Sequence, residues 1–547
     1  MASGARAIKA ALAALAVCVA PQTALGDLSA VDLSDMRRAL TTLKAELAAD
    51  PDALRDINAM WQRLPLDGAA PAPAAQSPFA APDTLVKSVQ EAPRPVDPSG
   101  AFFAGAAASV PVTPQQPGAA LGVWADAPDH ATPLDAGLTD FRIMLAALAQ
   151  TYTGKNNQAV INAQGPRGTV AISIRSGEVG LTDLQAFSAS LGHPPRPDGT
   201  LTTPVVIWSD ATLRLGPGER LGLARDTGAF LMSMGRLDVN GATIESVGPE
   251  NPHTPSFTPF VTVMQGGSLD MRGATLRNLG FGQTPKFSGL SVAGSLISRD
   301  RGSVHIEDSL FDSLKVVSLV STQAPKIIGV TFRDARDAAL HLMDAPGAEV
   351  RRTLFVGHSP TNAIRVDQGS THVVIERNMF LAGERVAVLV DAGSDHVQVR
   401  GNLIWQRAGA GIKFLRTRCG LIEDNLILDN RQKGVEVRRS TGTVVRDNLI
   451  AGNRSAGIWV SAQGPAAQTA LNDNVLHGNG AGVSAATGAE ILMQGNNFAK
   501  QFPRLLDGDI ARLTRYVAVD LRGDVGLRIR DGQAATGPTD ALCGSAL

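Results

Sequence analysis

An asparagine recurs about every 23 residues through the C-terminal half of the chain, and this repeat constrains the fold more than any other feature. Successive copies are separated by 24, 23, 23, 26 and 23 residues. The six copies are Asn378, Asn402, Asn425, Asn448, Asn474 and Asn497, and the same register holds smaller side chains earlier, at Ser309, Val330 and Thr353. Self-similarity at a short fixed period indicates a solenoid, in which each coil contacts only its neighbours.

Short apolar runs within each repeat predict strands. GIKF at 411–414, GVEV at 434–437 and GIWV at 457–460 alternate apolar and other residues and are too short for helices. A coil with two or three such strands fits an all-β fold, a right-handed parallel β-helix. Asparagines at stacked turns would then form an inward ladder of amides, which is a structural role.

The composition excludes some functional classes. The chain has 547 residues, a net charge of −1 and 18% charged residues, so nothing indicates a nucleic-acid partner. A solenoid explains how so long a chain builds one continuous core.

Residues 1–26 have the composition of a secretory signal. Arg6 and Lys9 precede an apolar stretch over residues 10–20, and Ala24-Leu25-Gly26 forms a small-residue cleavage site. The interpretation is a periplasmic protein without a transmembrane segment, since no apolar run is long enough to span a bilayer. A lipoprotein attached through Cys18 is the alternative.

Further segments follow from composition and periodicity. Residues 27–64 read as a helical segment that docks on the solenoid or on a partner protein, and 65–135 as an Ala/Pro-rich linker. An N-terminal cap over 136–204 contains predicted helices at Leu138–Ala149 and Leu181–Leu191. The β-helix is predicted over 205–500, with a C-terminal cap over 501–547. The loop 249–260 is a candidate to overhang a groove.

Two cysteines remain beyond the signal segment, Cys419 and Cys543. In an oxidising compartment they either pair and tie the C-terminal tail to the solenoid or stay as two thiols. No Cys/His spacing predicts a metal site, and no cofactor is expected.

The stretch from Val205 onward resembles the periplasmic mannuronan C5-epimerases of bacterial alginate biosynthesis. ATLRLGPGERLGLARDTGAFLMSMGRLDV and SFTPFVTVMQGGSLDMRGATLRNLGFG are similar to the first coils of that family. Later runs (GNLI, EDNLILDN, RDNLIAGN) match the general sugar-binding β-helix repeat. The resemblance covers roughly residues 205–500. It implies an enzyme that acts on an acidic exopolysaccharide such as alginate in the periplasm.

The catalytic motif of that family is not matched. Its Asp-Pro-His-Asp run falls at Arg365-Val366-Asp367-Gln368 when coils are counted from the C-terminal end. A shift of one coil places it at His341-Leu342-Met343-Asp344, and neither segment reproduces it. The family's arginine on the next coil falls at Asp391 or Ala392. The scaffold therefore carries over while the catalytic residues do not.

Strand alternation points to His341 as the best candidate base. Histidines 341, 358, 372 and 396 lie in the coils, and the two tyrosines, Tyr152 and Tyr516, lie outside them. Leu340 and Leu342 should point inward, so His341 should point outward. The same alternation places Arg365, Lys413, Glu436 and Trp459 in one outward column with His341. Such a column suits a polyuronate lying along the axis, and an ordinary solvated strand face is the alternative.

Two further clusters extend the candidate set. Asp344, Asp367, Asp391 and Asp395 fall near strand ends and are candidates for a pair of catalytic carboxylates, for a calcium site or for turn caps. A basic zone is a candidate for carboxylate recognition or a solvated face, and comprises Arg416, Arg418, Arg431, Lys433, Arg438, Arg439 and Arg446.

Three functional hypotheses follow. The first is an epimerase or lyase, with catalytic roles for His341, Arg365, Asp367 and Asp344 and substrate-binding roles for Lys413, Arg416, Arg438, Trp459 and Asp391. The second is a non-catalytic polysaccharide-binding module of an exopolysaccharide export or modification complex. The third is a hydrolase that uses the aspartates.

Overall fold

The computed structural model describes residues 133–294, 301–357 and 359–537 together with Cys543, except for the side chain of Thr151. These residues belong to the unit Ala120–Leu547. The expected signal segment 1–26, the helical segment 27–64, all of the linker up to residue 132, and His358 lie outside the described residues.

The fold is a right-handed parallel β-helix of about 12 turns, as the repeat predicts. Three strand ladders run along it, named faces A, B and C, and strands are numbered in chain order. Face A contains β5 Leu231–Ser233, β8 Val261–Val263, β11 Gly289–Ala293, β14 Val316–Val320, β17 Leu340–Met343, β20 Ile364–Asp367, β23 Val388–Val390, β26 Ile412–Leu415, β29 Val435–Arg438, β32 Ile458–Ser461, β35 Val483–Ala486 and β37 Leu506–Gly508.

Faces B and C complete each coil. Face B contains β6 Arg236–Asn240, β9 Ser268–Arg272, β12 Val304–Glu307, β15 Lys326–Ile328, β18 Glu349–Arg351, β21 Val374–Glu376, β24 Gln398–Arg400, β27 Leu421–Glu423, β30 Thr443–Arg446, β33 Gln468–Asn472 and β36 Glu490–Gln494. Face C contains β4 Arg220–Ala224, β7 Thr243–Val247, β10 Thr275–Arg277, β13 Leu310–Asp312, β16 Thr331–Arg333, β19 Leu354–Val356, β22 Met379–Leu381, β25 Leu403–Trp405, β28 Leu426–Leu428, β31 Leu449–Ala451 and β34 Val475–His477.

The N-terminal coils differ from the predicted pattern. Parallel pairing starts upstream of Val205, because β2 (Val170–Val179) pairs with β3 (Val205–Leu215), which spans faces A and B. The helix predicted at Leu138–Ala149 is wrong over its first residues. Asp135–Asp140 form β1, which pairs antiparallel with β2 and covers that sheet edge.

Within the described residues the helices are few and short. They are α1 Arg142–Thr151, α2 Asn157–Asn162, α3 Leu181–Ser190 and α4 Thr514–Ala518, with 3₁₀ helices at Gly165–Arg167, Pro285–Phe287 and Ala511–Leu513. The helix predicted at Leu181–Leu191 is confirmed by α3.

Inward side chains fill the solenoid. One continuous buried cluster extends from Ile172 to Ile529. Within it, phenylalanine rings from successive coils contact one another with ring centroids 4.7 to 5.2 Å apart, at Phe311, Phe332, Phe355 and Phe380. Burial of apolar side chains such as these is the main favourable contribution to folding.

The predicted asparagine ladder is present and fully buried. Asn425 shows the repeating unit: its Oδ1 accepts from the backbone and side-chain nitrogens of Asn402 at 3.0 and 2.9 Å, and its Nδ2 donates to Asn448 Oδ1 at 2.9 Å. The last rung is Asn496 rather than Asn497, since Asn474 Nδ2 donates to Asn496 Oδ1 at 2.9 Å. Here the step between rungs shortens to 22 residues, which shifts the register by one.

The C-terminal end closes the solenoid. β38 (Leu527–Arg530) pairs antiparallel with β36, and β39 (Gln533–Thr536) pairs with β38. A disulfide joins Cys419 to Cys543, with the Cα atoms 5.5 Å apart. Of the two states that the sequence left open, the structure contains the bonded one.

Candidate functional site

The outward positions of face A form one column, as the alternation predicts. Register is kept from strand to strand, so His341 pairs with Arg365, Arg365 with Leu389, and Leu389 with Lys413. Glu436 and Trp459 continue the column. Neighbouring strands in a sheet lie about 4.8 Å apart, so these side chains line the axis at that spacing.

His341 and Arg365 share one buried carboxylate. His341 Nε2 lies 3.2 Å from each carboxylate oxygen of Asp367, on the next coil. Arg365 Nε donates to Asp367 Oδ2 at 2.7 Å. The Asp367 side chain is only 4% exposed, whereas that of His341 is 17% exposed and that of Arg365 is 44% exposed. Asp367 therefore orients two groups that reach solvent.

The charge of Asp367 is stabilised by these two partners. Burial by itself raises the pKa of a carboxyl group. The hydrogen bond from His341 and the charges of His341 and Arg365 outweigh burial and hold the pKa of Asp367 below its usual range. Asp367 is thus an anion at neutral pH, placed to fix the histidine ring and its protonated nitrogen.

His341 and Arg365 open into a cleft of about 310 Å³. One wall comes from residues just before the face A strands, namely Lys315, Asp337, Thr361, Asn362 and Arg385. A second wall comes from the segment 283–288, which contains the 3₁₀ helix Pro285–Phe287 and precedes β11 on an earlier coil. The cleft therefore brings one histidine and three cationic side chains around one small volume.

Two hydroxyl groups in this cleft have no hydrogen-bond partner among the described residues. Ser318 is fully buried in the column next to His341, and Thr284 lies in the 283–288 wall and is 8% exposed. Buried polar groups are normally hydrogen-bonded. Both hydroxyl oxygens are shielded from solvent as well as unpaired.

Sequence reasoning missed Lys315, Arg385, Ser318 and Thr284. Alternation could have found Ser318, because it is the residue that pairs with His341 on β14. Lys315 and Arg385 precede strands, in turns whose course the repeat does not determine. Within the described residues, the side chains of Lys315 and Arg385 form no ion pair.

The remaining predicted aspartates do not join the cleft. Asp344 contacts Arg301 Nη2 at 3.2 Å and Ser321 Oγ at 2.8 Å. Asp391 accepts two bonds from Arg416, both 2.9 Å long. Asp395 accepts from the Arg418 side chain at 2.9 Å in the same way. Because each carboxylate is neutralised by its own arginine, they do not form a pair of free carboxylates.

The predicted substrate-binding residues lie further along face A. Lys413 Nζ lies 3.0 Å from Glu436, and Lys433 Nζ lies 3.5 Å from Glu436 and 4.7 Å from the ring centre of Trp459. Arg438 is exposed at the end of β29. Lys413, Glu436 and Trp459 continue the column beyond Arg365, whereas Lys433 precedes β29 and Arg438 lies two residues beyond Glu436.

The predicted basic zone is not one surface. Arg416, Arg418 and Arg439 line a second, shallow groove of about 560 Å³ at the opposite edge of face A. Arg446 instead lies on face B, where its Nε donates to Glu423 at 2.6 Å. The division arises because a step of a few residues along one coil moves a side chain to another face.

Among the described residues, no group of three or more His, Cys, Asp or Glu side chains is placed to hold a metal ion. Among the helices described here, none has the length and apolar character needed to cross a membrane.

Comparison with known proteins agrees with the architecture. The family model for a right handed beta helix region matches residues 315–498. No curated protein matches by sequence. The crystal structure of the periplasmic alginate epimerase AlgG is similar with a TM-score of 0.58 and 20% identity, over 73% of this chain and 98% of that one. A double mutant of AlgG gives 0.57 and 18%, over 76% and 100%. The chain therefore shares its fold with periplasmic alginate epimerases.

Proposed function

We propose that this chain is an enzyme that removes the C5 proton of a uronate unit in an acidic polysaccharide, as an epimerase does. The observation that carries this proposal is the cleft in which His341, held by buried Asp367, faces the same volume as Arg365, Lys315 and Arg385. These are the groups that C5 chemistry needs, a base beside a cluster of cations.

The reaction assigns a role to each group. The cations bind the uronate carboxylate and stabilise the negative charge that develops when the C5–H bond breaks. With Nε2 of His341 held by Asp367, Nδ1 has a lone pair and takes the proton. A proton taken from solvent water and delivered to the opposite side of C5 completes epimerisation. Expulsion of the oxygen on C4 instead leaves an unsaturated unit, which is the lyase outcome.

The proposal also includes the identity of the polymer and the cellular compartment of the protein. The fold likeness to periplasmic alginate epimerases supports alginate as the substrate and the periplasm as the compartment. The composition of residues 1–26 also supports export. An export or modification complex that residues 27–64 contact stays a prediction.

The other two hypotheses have less support. A hydrolase needs two available carboxyl groups about 5–10 Å apart, but Asp344, Asp391 and Asp395 are each bound to an arginine. A purely binding module would not need a buried carboxylate behind one histidine.

The decisive experiment is incubation of the secreted chain with polymannuronate in deuterated water, followed by proton NMR of the polymer. We expect deuterium at C5 together with guluronate signals, and loss of both in His341→Ala. The matched control is His305→Ala, because His305 is also a strand histidine beside a carboxylate, 3.4 Å from Glu307 on face B. Binding without deuterium uptake would favour the non-catalytic module, and equal loss in both variants would remove His341 from the reaction.

A further inference from the structure

The outward column of face A is covered on one side of His341 and open on the other. Preceding strands place Val206, Met232, Thr262, Ser291 and Ser318 in the column, and each is at most 1% exposed. From His341 to Lys413 the column side chains reach solvent, with Arg365 44% and Lys413 22% exposed. Further along the column Glu436 is 5% and Ser484 is 1% exposed.

The cover is the packed N-terminal cap. Its buried aromatic cluster joins α1 to the loops around the first coils and comprises Phe141, Phe230, Phe257, Phe260, Phe281 and Phe287. Tyr152 places its hydroxyl 3.2 Å from Ser291 Oγ. Thr262 Oγ1 donates to the carbonyl of Lys286 at 2.5 Å. A sugar chain cannot enter this part of the column without unfolding the cap.

The boundary of the cover is the 283–288 wall of the cleft, and many contacts fix it. Lys286 is fully buried and donates from Nζ to the carbonyl of Thr153 at 2.7 Å. Lys155 Nζ donates to Gln283 Oε1 at 2.6 Å. Arg336 Nη2 donates to the carbonyls of Leu279 and Gly280 at 2.7 and 2.8 Å. The position of the wall is therefore fixed by the fold.

We propose that the cleft acts on the end of a polymer chain, an inference that rests on the proposed function. A polyuronate lying along the column extends from His341 only toward Arg365 and Lys413. The sugar beside His341 is then the last unit of its chain, and the wall at 283–288 stops further units.

The first test locates the reacting unit. A mannuronate octamer marked at its reducing end is incubated in deuterated water to low conversion, and fragmentation mass spectrometry assigns deuterium to each position. We expect deuterium at one terminal unit. Deuterium in interior units at the earliest time would overturn the proposal. Interior units can react only if the polymer runs across the strands of face A and extends beyond the cleft at both ends.

The second test does not need catalysis. The number of His341→Ala molecules bound per chain is measured by sedimentation with mannuronate chains of increasing length. End recognition predicts one molecule per chain at every length, whereas a number that rises with length would overturn it. If one protein molecule binds per chain but the wild type incorporates no deuterium, end recognition is supported and the proposed reaction is refuted. Absence of binding at every length would refute both.

Discussion

His341 Nε2 lies 3.2 Å from both carboxylate oxygens of Asp367, which belongs to the next coil and is almost completely buried. The pair exists because parallel strands stack without a register shift, so a residue on β20 reaches a residue on β17. Asp367 also accepts from Arg365, so one carboxylate sets the positions of the proposed base and of a proposed carboxylate-binding group.

Replacement of Asp367 by asparagine should reduce the reaction without preventing folding. Asparagine keeps the size of the side chain but removes the charge that stabilises the protonated imidazole. We expect the rate of deuterium uptake to fall about 100-fold or more, within the usual range for general base catalysis. Asp395→Asn is the control, because Asp395 is also largely buried and binds an arginine outside the cleft. Equal rates in wild type and Asp367→Asn would refute the role of Asp367.

The same carboxylate predicts how stability depends on pH. The pKa of Asp367 is lowered in the folded state, so its contribution to stability is complete above the ordinary aspartate pKa of 3.8 and is lost as pH falls through the folded value. The wild type should therefore melt at a higher temperature than Asp367→Asn at pH 5, and the gap should shrink below pH 4. Thermal melts of both proteins from pH 5 to pH 3 measure this gap. A gap that stays constant over that range would show that Asp367 contributes nothing through its charge.

Replacement of Arg365 by glutamine should weaken both substrate binding and the chemical step. Its guanidinium lies next to the proposed base, where negative charge develops on the substrate carboxylate. We expect a lower kcat together with a higher KM. Arg446→Gln is a closely matched control, because Arg446 on face B is 40% exposed and its Nε also donates to a carboxylate at 2.6 Å. If the two variants behave alike, Arg365 acts only as part of the scaffold.

Loss of one rung of the asparagine ladder should destabilise the whole solenoid. Asn425→Ala leaves buried partners on two neighbouring coils without a bond, including the carbonyl of Val399, which accepts from Asn425 Nδ2 at 2.8 Å. Each unsatisfied buried group costs about 1–3 kcal/mol, so we expect a loss of about 3 kcal/mol or more. Asn240→Ala at an exposed strand end should change stability by less than about 0.5 kcal/mol. Denaturant unfolding compares the two, and similar values would contradict the ladder's importance.

The repeat predicted the fold and the column because both follow from the period. A constant coil length places residues from successive coils side by side, and alternation assigns His341 and Arg365 to the outward side. A second ladder could also have been found, since Asn430, Asn453, Asn479 and Gln501 each lie five residues after a rung of the first ladder.

The parts of the site that were missed do not follow from the period. Lys315 and Arg385 lie in turns, and the 283–288 wall is positioned by packing between Phe260, Phe281 and Phe287. Such contacts depend on the tertiary course of the cap. For the same reason the sequence did not reveal that Tyr152 of the cap reaches Ser291 on face A.

Arg407 is a buried side chain that contacts the turns lining the cleft. Its side chain is buried, which lowers its pKa to about 10, and its guanidinium caps backbone carbonyls. Nε donates to Arg385 O at 2.8 Å and Nη2 to Thr361 O at 3.1 Å, and both of these residues line the cleft. Arg407→Met should destabilise the protein by several kcal/mol, because it leaves these carbonyls unpaired.

Gly383 offers an independent way to disturb the same contact while the guanidinium is kept. A Cβ at Gly383 would collide with Arg407 Nη1, and the Gly383 φ of +109° disfavours any other residue. Gly383→Ala should therefore push Arg407 away from the carbonyls and raise the KM for the polymer. Gly369→Ala is the control for strain, since Gly369 also has a positive φ but has open space around it. Gly383→Ala keeps the charge of Arg407. If the KM rises in Gly383→Ala but not in Gly369→Ala, the rise is caused by movement of the turns that contain Thr361 and Arg385. An unchanged KM in both alanine variants would show that the cleft does not depend on this support.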